Sequence, residues 1–267
     1  MTSTADILIL RPFNAVFLVT FAAFVLLLVI ASLLVRGRSA RVKKTVIVAA
    51  CAVTLIGFFI YKYFLSIDAA YDAITADTGG FNWWGELPFH LCNVNMILIP
   101  IAVLTKKRPL LSFCFFVGPL GATLALVMPG NGFDGYSILL PRMIGYFGTH
   151  FMIVILAIAI VTFGFYKPRF RDIPMTALTL AAVAFVAFLI SLLFRVTGLN
   201  AFANYFYTMD PEGNPVLGLF KKLIPVPYLY LLPSILVIAA YAALVTLGFF
   251  LADRIQGRLR NCKETED

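Results

Sequence analysis

The chain has 267 residues, 61% hydrophobic and 13% charged, with a formal net charge of +8 and a mean hydropathy of +0.95. A soluble domain carries roughly 25% charged residues, so this composition excludes an ordinary soluble globule. The basic residues cluster beside apolar runs, a mark of membrane orientation that argues against nucleic acid as a partner.

An apolar run of about 20 residues is long enough to span a bilayer, and seven such runs follow one another. The first, 13–35, exceeds the roughly 7–15 residues of a signal-peptide core and is read as a membrane helix, not a cleaved leader. Arg36, Arg38, Arg41, Lys43 and Lys44 follow it. The second is 45–65. The loop 67–86 then carries Asp68, Asp72, Asp77, Glu86 and the interfacial pair Trp83-Trp84, with room for a short helix. The third span, 87–105, starts near Pro88 and stops at Lys106-Lys107-Arg108. The fourth, 109–128, stops at the turn Pro129-Gly130-Asn131-Gly132. The fifth, 139–165, ends before Lys167 and Arg169, and the sixth, 174–196, before Gly198. A polar loop holding Asn204, Asp210 and Glu212 leads to the seventh, 228–252, and to a charged tail with Asp253, Arg254, Arg258, Arg260 and Lys263.

The expected fold is therefore all-α: a single integral membrane domain over 1–267, a seven-helix bundle without a soluble appendage. Basic clusters follow spans one, three, five and seven, and acidic loops follow spans two and six. The positive-inside rule then puts the amino terminus outside and the carboxyl terminus in the cytoplasm.

Polar residues inside the spans are the candidates for function, because they cost several kcal/mol in hydrocarbon unless partnered. They concentrate in Leu87-Pro88-Phe89-His90-Leu91-Cys92-Asn93-Val94-Asn95. A helix rises about 1.5 Å per residue, which puts Cys92 roughly 21 Å and His90 roughly 24 Å above Lys106, and His150 roughly 25 Å above Lys167. The two histidines of the chain thus share an outer layer with Cys92, while Cys51 and Cys114 lie deeper. The fourth cysteine is Cys262, and the four have no metal-motif or disulfide-framework spacing. On a regular helix His90 and Cys92 point about 200° apart, so His150 is the better base for Cys92. Arg142 and Arg195 flank the outer interface; each either snorkels to headgroups or holds a lipid phosphate, and Lys62 has the same option. Gly118-Pro119-Leu120-Gly121 reads as a close-packing or kink site.

Pro88-Phe89-His90-Leu91-Cys92-Asn93, followed by Leu98-Ile99-Pro100-Ile101-Ala102-Val103-Leu104-Thr105-Lys106, resembles the YwaF-like family of bacterial integral membrane proteins. Thr149-His150, Asn204-Tyr205 and Pro225-Val226-Pro227-Tyr228 match in order, so the resemblance covers about residues 80–250. That family is similar to a eukaryotic transmembrane acyltransferase that moves acyl chains onto ether lysophospholipids through a cysteine. The resemblance implies a bacterial cytoplasmic-membrane location and a lipid acyltransferase with Cys92 as its nucleophile; depth and azimuth add His150 as the base, and shared depth adds His90 to the candidate catalytic group. The resemblance also adds Asn204 to Asn93, Arg142 and Arg195 as substrate-contacting residues. Membrane lipids, phospholipid and lysophospholipid among them, are the implied partners, with no cofactor.

Other readings of the same residues stand beside this one. Cys92 is a packing residue, a nucleophile, or a metal ligand with His90 and His150. The histidines either bond between helices or share a polar pocket. At the level of the whole chain, the alternatives to an enzyme are a transporter of small solutes or lipids and a non-catalytic membrane partner protein. An odd number of spans and the lack of a visible repeat weigh against the transporter.

Overall fold

The computed structural model describes residues 8–130 and 132–264. Asn131 of the expected turn lies outside the described residues. So do the side chains of 257–264, which include Cys262 and the basic residues of the tail beyond Arg254. The chain is all-α apart from a two-residue antiparallel ribbon, β1 (Ile9–Leu10) against β2 (Tyr136–Ser137). Its helices are α1 (Ala15–Val35), α2 (Ala40–Ser66), α3 (Ala69–Ile74), α4 (Asn95–Thr105), α5 (Arg108–Val127), α6 (Pro141–Thr162), α7 (Ile173–Val196), α8 (Pro215–Leu223) and α9 (Leu232–Glu264).

Six of these, α1, α2, α5, α6, α7 and α9, are long and apolar enough to cross a membrane. Local chemistry sets their ends. Asn14 and Ser39 cap α1 and α2 by accepting from Phe17 N and Val42 N. Pro109 and Pro141 sit in the first turns of α5 and α6, where their missing N–H costs nothing.

The expected third span is the correction. Helix forms only from Asn95, so α4 is about 16 Å long against a hydrocarbon core of about 30 Å. Residues 87–94 are turns. In a continuous helix Leu91 O would accept from Asn95 N. Here the Asn95 side-chain Nδ2 takes Leu91 O at 2.9 Å, and Asn95 N turns to Cys92 O at 3.1 Å. The asparagine side chain competes with the backbone and delays the helix. Non-helical backbone at membrane depth survives only where protein or a wet cavity surrounds it.

The bundle is organised on α6, which packs on α5, α2, α1 and α4 and is the most buried of the long helices. Gly145 makes the α2 contact possible: a Cβ there would fall 2.1 Å from Tyr61 Cβ. By contrast α1 buries only Phe17 and Val35 and presents its remaining surface outward.

The basic helix ends gather at one end of the bundle. Lys43 Nζ donates to Phe163 O at 3.2 Å, and Arg108 grips Asp172 with two bonds of 2.6 Å while also donating to Lys167 O. Tyr166 donates to the same carboxylate, and Lys167 pairs with Asp253 at 2.5 Å. The α2–α3 junction, the turns before α4 and the 197–231 loop lie at the opposite end.

Candidate functional site

Two elements bring the site together. The irregular turn before α4 carries Cys92, and the buried middle of α6 carries His150. His150 Nε2 lies 3.2 Å from Cys92 Sγ. His150 Nδ1 lies 2.7 Å from Tyr146 O, one turn back along α6. A carbonyl can only accept, so Nδ1 carries the proton and Nε2 presents a lone pair to the thiol. The Tyr146 ring closes on the imidazole, with centroids 4.4 Å apart. That ring is held by stacking on Phe133 at 4.2 Å and by its hydroxyl donating to Ala125 O at 2.9 Å. Among the described residues no carboxylate orients His150; a backbone carbonyl and a fixed aromatic ring do so instead.

The Cys92 turn is pressed against α5. A Cβ at Gly121 would meet Leu91 Cγ at 3.3 Å and Cys92 N at 3.7 Å, and one at Gly118 would meet Asn95 Oδ1 at 3.2 Å. The Gly118–Gly121 segment is thus a close-packing site. The amides of Leu91, Cys92 and Asn93 donate to no oxygen among the described residues, and those of Cys92 and Asn93 face the sulfur.

His90 goes elsewhere. Its ring meets the edge of Tyr205 with centroids 5.0 Å apart, and Tyr205 is fixed by its hydroxyl donating to Trp84 O at 2.5 Å and by its amide donating to Ser191 Oγ at 2.9 Å. The described residues hold no group of three His, Cys, Asp or Glu placed to bind one metal ion. Asn93, next in sequence to Cys92, is buried, and its Oδ1 has no hydrogen-bond partner among the described residues.

The three other residues expected at the substrate are bound into the protein. Arg142 is buried, donates to Asp68 Oδ2 at 2.6 Å and stacks on Tyr136 at 4.4 Å. Burial alone would raise the Asp68 carboxyl; the Tyr71 amide and the Arg142 guanidinium outweigh it and hold it below the usual range. Arg195 donates through Nε to Ala203 O at 2.7 Å. Asn204 is saturated: its Nδ2 donates to Asp210 O and Glu212 Oε1, and its Oδ1 accepts from Met209 N and Asp210 N. It shapes the loop it sits in. There burial pushes the Glu212 carboxyl up, while the Lys221 ammonium holds Asp210 down.

Sequence reasoning missed the partner of Lys62. This α2 lysine, only 8% exposed at its side chain, forms an ion pair with Glu86 and lies over the Tyr61 ring at 4.7 Å. It is within electrostatic reach of His90, Cys92 and His150. The signal was available: Glu86 is the last acidic residue before the His90–Asn95 stretch, and Lys62 is the one cation inside the second apolar run.

A family model covers nearly the whole of this architecture, matching residues 9–245. The chain belongs to the TMEM164 family. That is a transmembrane family, in keeping with the six long apolar helices, and the match takes in the Cys92 turn, α6 and the Asn204 loop. The motif resemblance pointed to the YwaF-like family; the family that matches is TMEM164. No curated protein and no solved structure gives a significant match.

Proposed function

We propose that this TMEM164-family protein is a phospholipid acyltransferase in which Cys92 is the nucleophile and His150 its general base. The observation that carries the reading is the thiol held 3.2 Å from an imidazole nitrogen whose tautomer is fixed by Tyr146 O. The resemblance of Pro88–Asn93 to a YwaF-like signature supports the lipid substrate. His150 Nε2 takes the Cys92 proton as sulfur attacks the carbonyl carbon of a phospholipid ester. The tetrahedral oxyanion is met by the amides of Cys92 and Asn93 beside the sulfur. The ester C–O bond breaks, the imidazolium returns its proton to the leaving alkoxide, and a lysophospholipid departs from the thioester. A lysophospholipid hydroxyl then gives its proton to His150 and attacks the thioester, and the thiolate leaves and is restored to the thiol.

The same reading puts the basic end in the cytoplasm of a bacterial cell and counts seven crossings, with α4 and its leading turns as the third. Cys92 then serves the outer leaflet. The alternatives, a transporter or a non-catalytic partner, do not account for a thiol set against a lone-pair nitrogen.

The test is acyl transfer by the purified chain from a labelled phospholipid to a lysophospholipid. Cys92→Ser and His150→Gln should each cut the rate by about 10²-fold or more. Cys114→Ser, in the packed core, should leave it within about twofold of the parent. Transfer that survives Cys92→Ser, or no transfer with any common lipid pair, overturns the proposal.

A further inference from the structure

The helix α8 has no place in the bundle. None of its nine residues is buried. Its apolar side chains recur at helical spacing: Val216, Leu219 and Leu223 lie within about 60° on one face and are 56%, 56% and 69% exposed. Lys221 lies on the opposite face, and Lys222 borders the stripe about 60° beyond Leu219. The helix is nonetheless built to form. Asn214 caps it by accepting from Val216 N and Leu217 N, Pro215 occupies its first position, and its two lysines fall in the last turn, where they suit the helix dipole. Lys221 is tied to Asp210, and Tyr228 N donates to Thr208 O at 2.6 Å, so the last turn of α8 and the chain just after it are fastened to the preceding loop.

The position of α8 names what covers the apolar face. The segment joins the upper ends of α7 and α9, both long enough to cross a membrane. At that level Trp84 packs on Phe194 of α7 with centroids 5.5 Å apart, and Trp83 and Trp84 are both exposed. Exposed tryptophans mark the headgroup layer of a bilayer. Val196 at the end of α7, Phe202 and Val226 in the loop, and Leu232 at the start of α9 are exposed apolar side chains as well.

We propose that α8 lies in the plane of the membrane, its Val216–Leu219–Leu223 face sunk about 5–10 Å into the headgroup–acyl boundary. Lys222 lies at the edge of that face, within reach of lipid phosphates. A short helix with a strong apolar face and a basic opposite face is suited to that layer. Docked there, α8 anchors the 197–231 loop whose Tyr205 abuts His90. The assignment rests on exposure, spacing and position, and holds whether or not Cys92 transfers acyl chains.

The test places a nitroxide on Leu219→Cys, Leu223→Cys or Lys222→Cys in a Cys92→Ser, Cys262→Ser background, leaving the buried Cys51 and Cys114. The full chain is reconstituted in phosphatidylcholine–phosphatidylglycerol vesicles. At 219 and 223, collision with oxygen should exceed collision with a water-soluble nickel chelate several-fold, and at 222 the order should reverse. Nickel access at 219 and 223 would put the face in water, and low access to both reagents would put it against protein, such as a second copy; either result overturns the proposal. On the unsubstituted chain, a phospholipid with a photoreactive acyl chain should label Val216, Leu219 or Leu223. Absence of label from 215–223, with label present on α1, would likewise overturn it.

Discussion

Lys62 and Glu86 show how much a single buried charge costs in this protein. The pair is largely desolvated, at 8% and 20% side-chain exposure. Removing one partner of such a pair strands the other and costs about 3–5 kcal/mol, whereas replacing both with apolar groups is often neutral. Glu86→Gln should therefore lower the unfolding midpoint sharply, and Lys62→Met with Glu86→Leu should recover most of the loss. A midpoint unchanged by Glu86→Gln would show that the pair bears no weight. Asp68 gives the corresponding pH test. Its folded-state pKa lies below the unfolded one. The Asp68–Arg142 pair therefore stabilises fully above the ordinary carboxylate value of about 3.9 and loses that contribution as pH falls through the folded value. The gap in thermal stability between parent and Asp68→Asn should be present at pH 7 and close below about pH 4; a gap that persists in acid would contradict the assignment.

At the scale of the helices, the contact between α2 and α6 sets where His150 stands. Gly145→Ala would drive a methyl into Tyr61, and overpacking of this kind costs about 1–3 kcal/mol or more. Gly148→Ala, whose added Cβ meets nothing within 4 Å, is the matched control on the same helix. Thermal unfolding in detergent should separate the two, and equal midpoints would remove the close approach from the account. The six long helices were legible in the sequence, because continuous apolar runs bounded by basic clusters report directly on span and end. The break before α4 was not. Hydropathy counts Leu91 and Val94 as apolar but has no term for the Asn95 amide taking Leu91 O. That break changes the reason Cys92 faces His150 without changing the pairing. Depth counting joined the two residues, but the argument from helix azimuth assumed a regular helix that is absent there. His90 was grouped with them by depth alone, and the Tyr205 edge that receives it is over a hundred residues away in sequence. Asn204 was drawn in by its place in a motif, which does not reveal that four bonds to its own loop use up its side chain.

Across the whole molecule, charge is sorted by end. The Lys43, Arg108 and Lys167 interactions lie at one end, and those of Asp68, Glu86 and Asp210 lie at the other. With the basic end cytoplasmic, Asp72→Cys should react with an impermeant maleimide in intact cells, and Arg169→Cys only after the cells are opened; the reverse pattern would invert the molecule. The sorting also places the Cys92–His150 pair toward the acidic end, where α6 is anchored to α3's cap by the Arg142–Asp68 pair and the loops of 79–94 and 197–208 lock through Tyr205 and Trp84. In the proposed reaction this pair carries an acyl group on the Cys92 sulfur. The most direct test of that step is intact-protein and peptide mass spectrometry of the full chain after brief exposure to a phospholipid donor without acceptor. One fatty-acyl mass increment is expected on Cys92, released by neutral hydroxylamine, discharged by added lysophospholipid and greatly reduced in His150→Gln. No increment on Cys92, or one that lysophospholipid leaves in place, would contradict it.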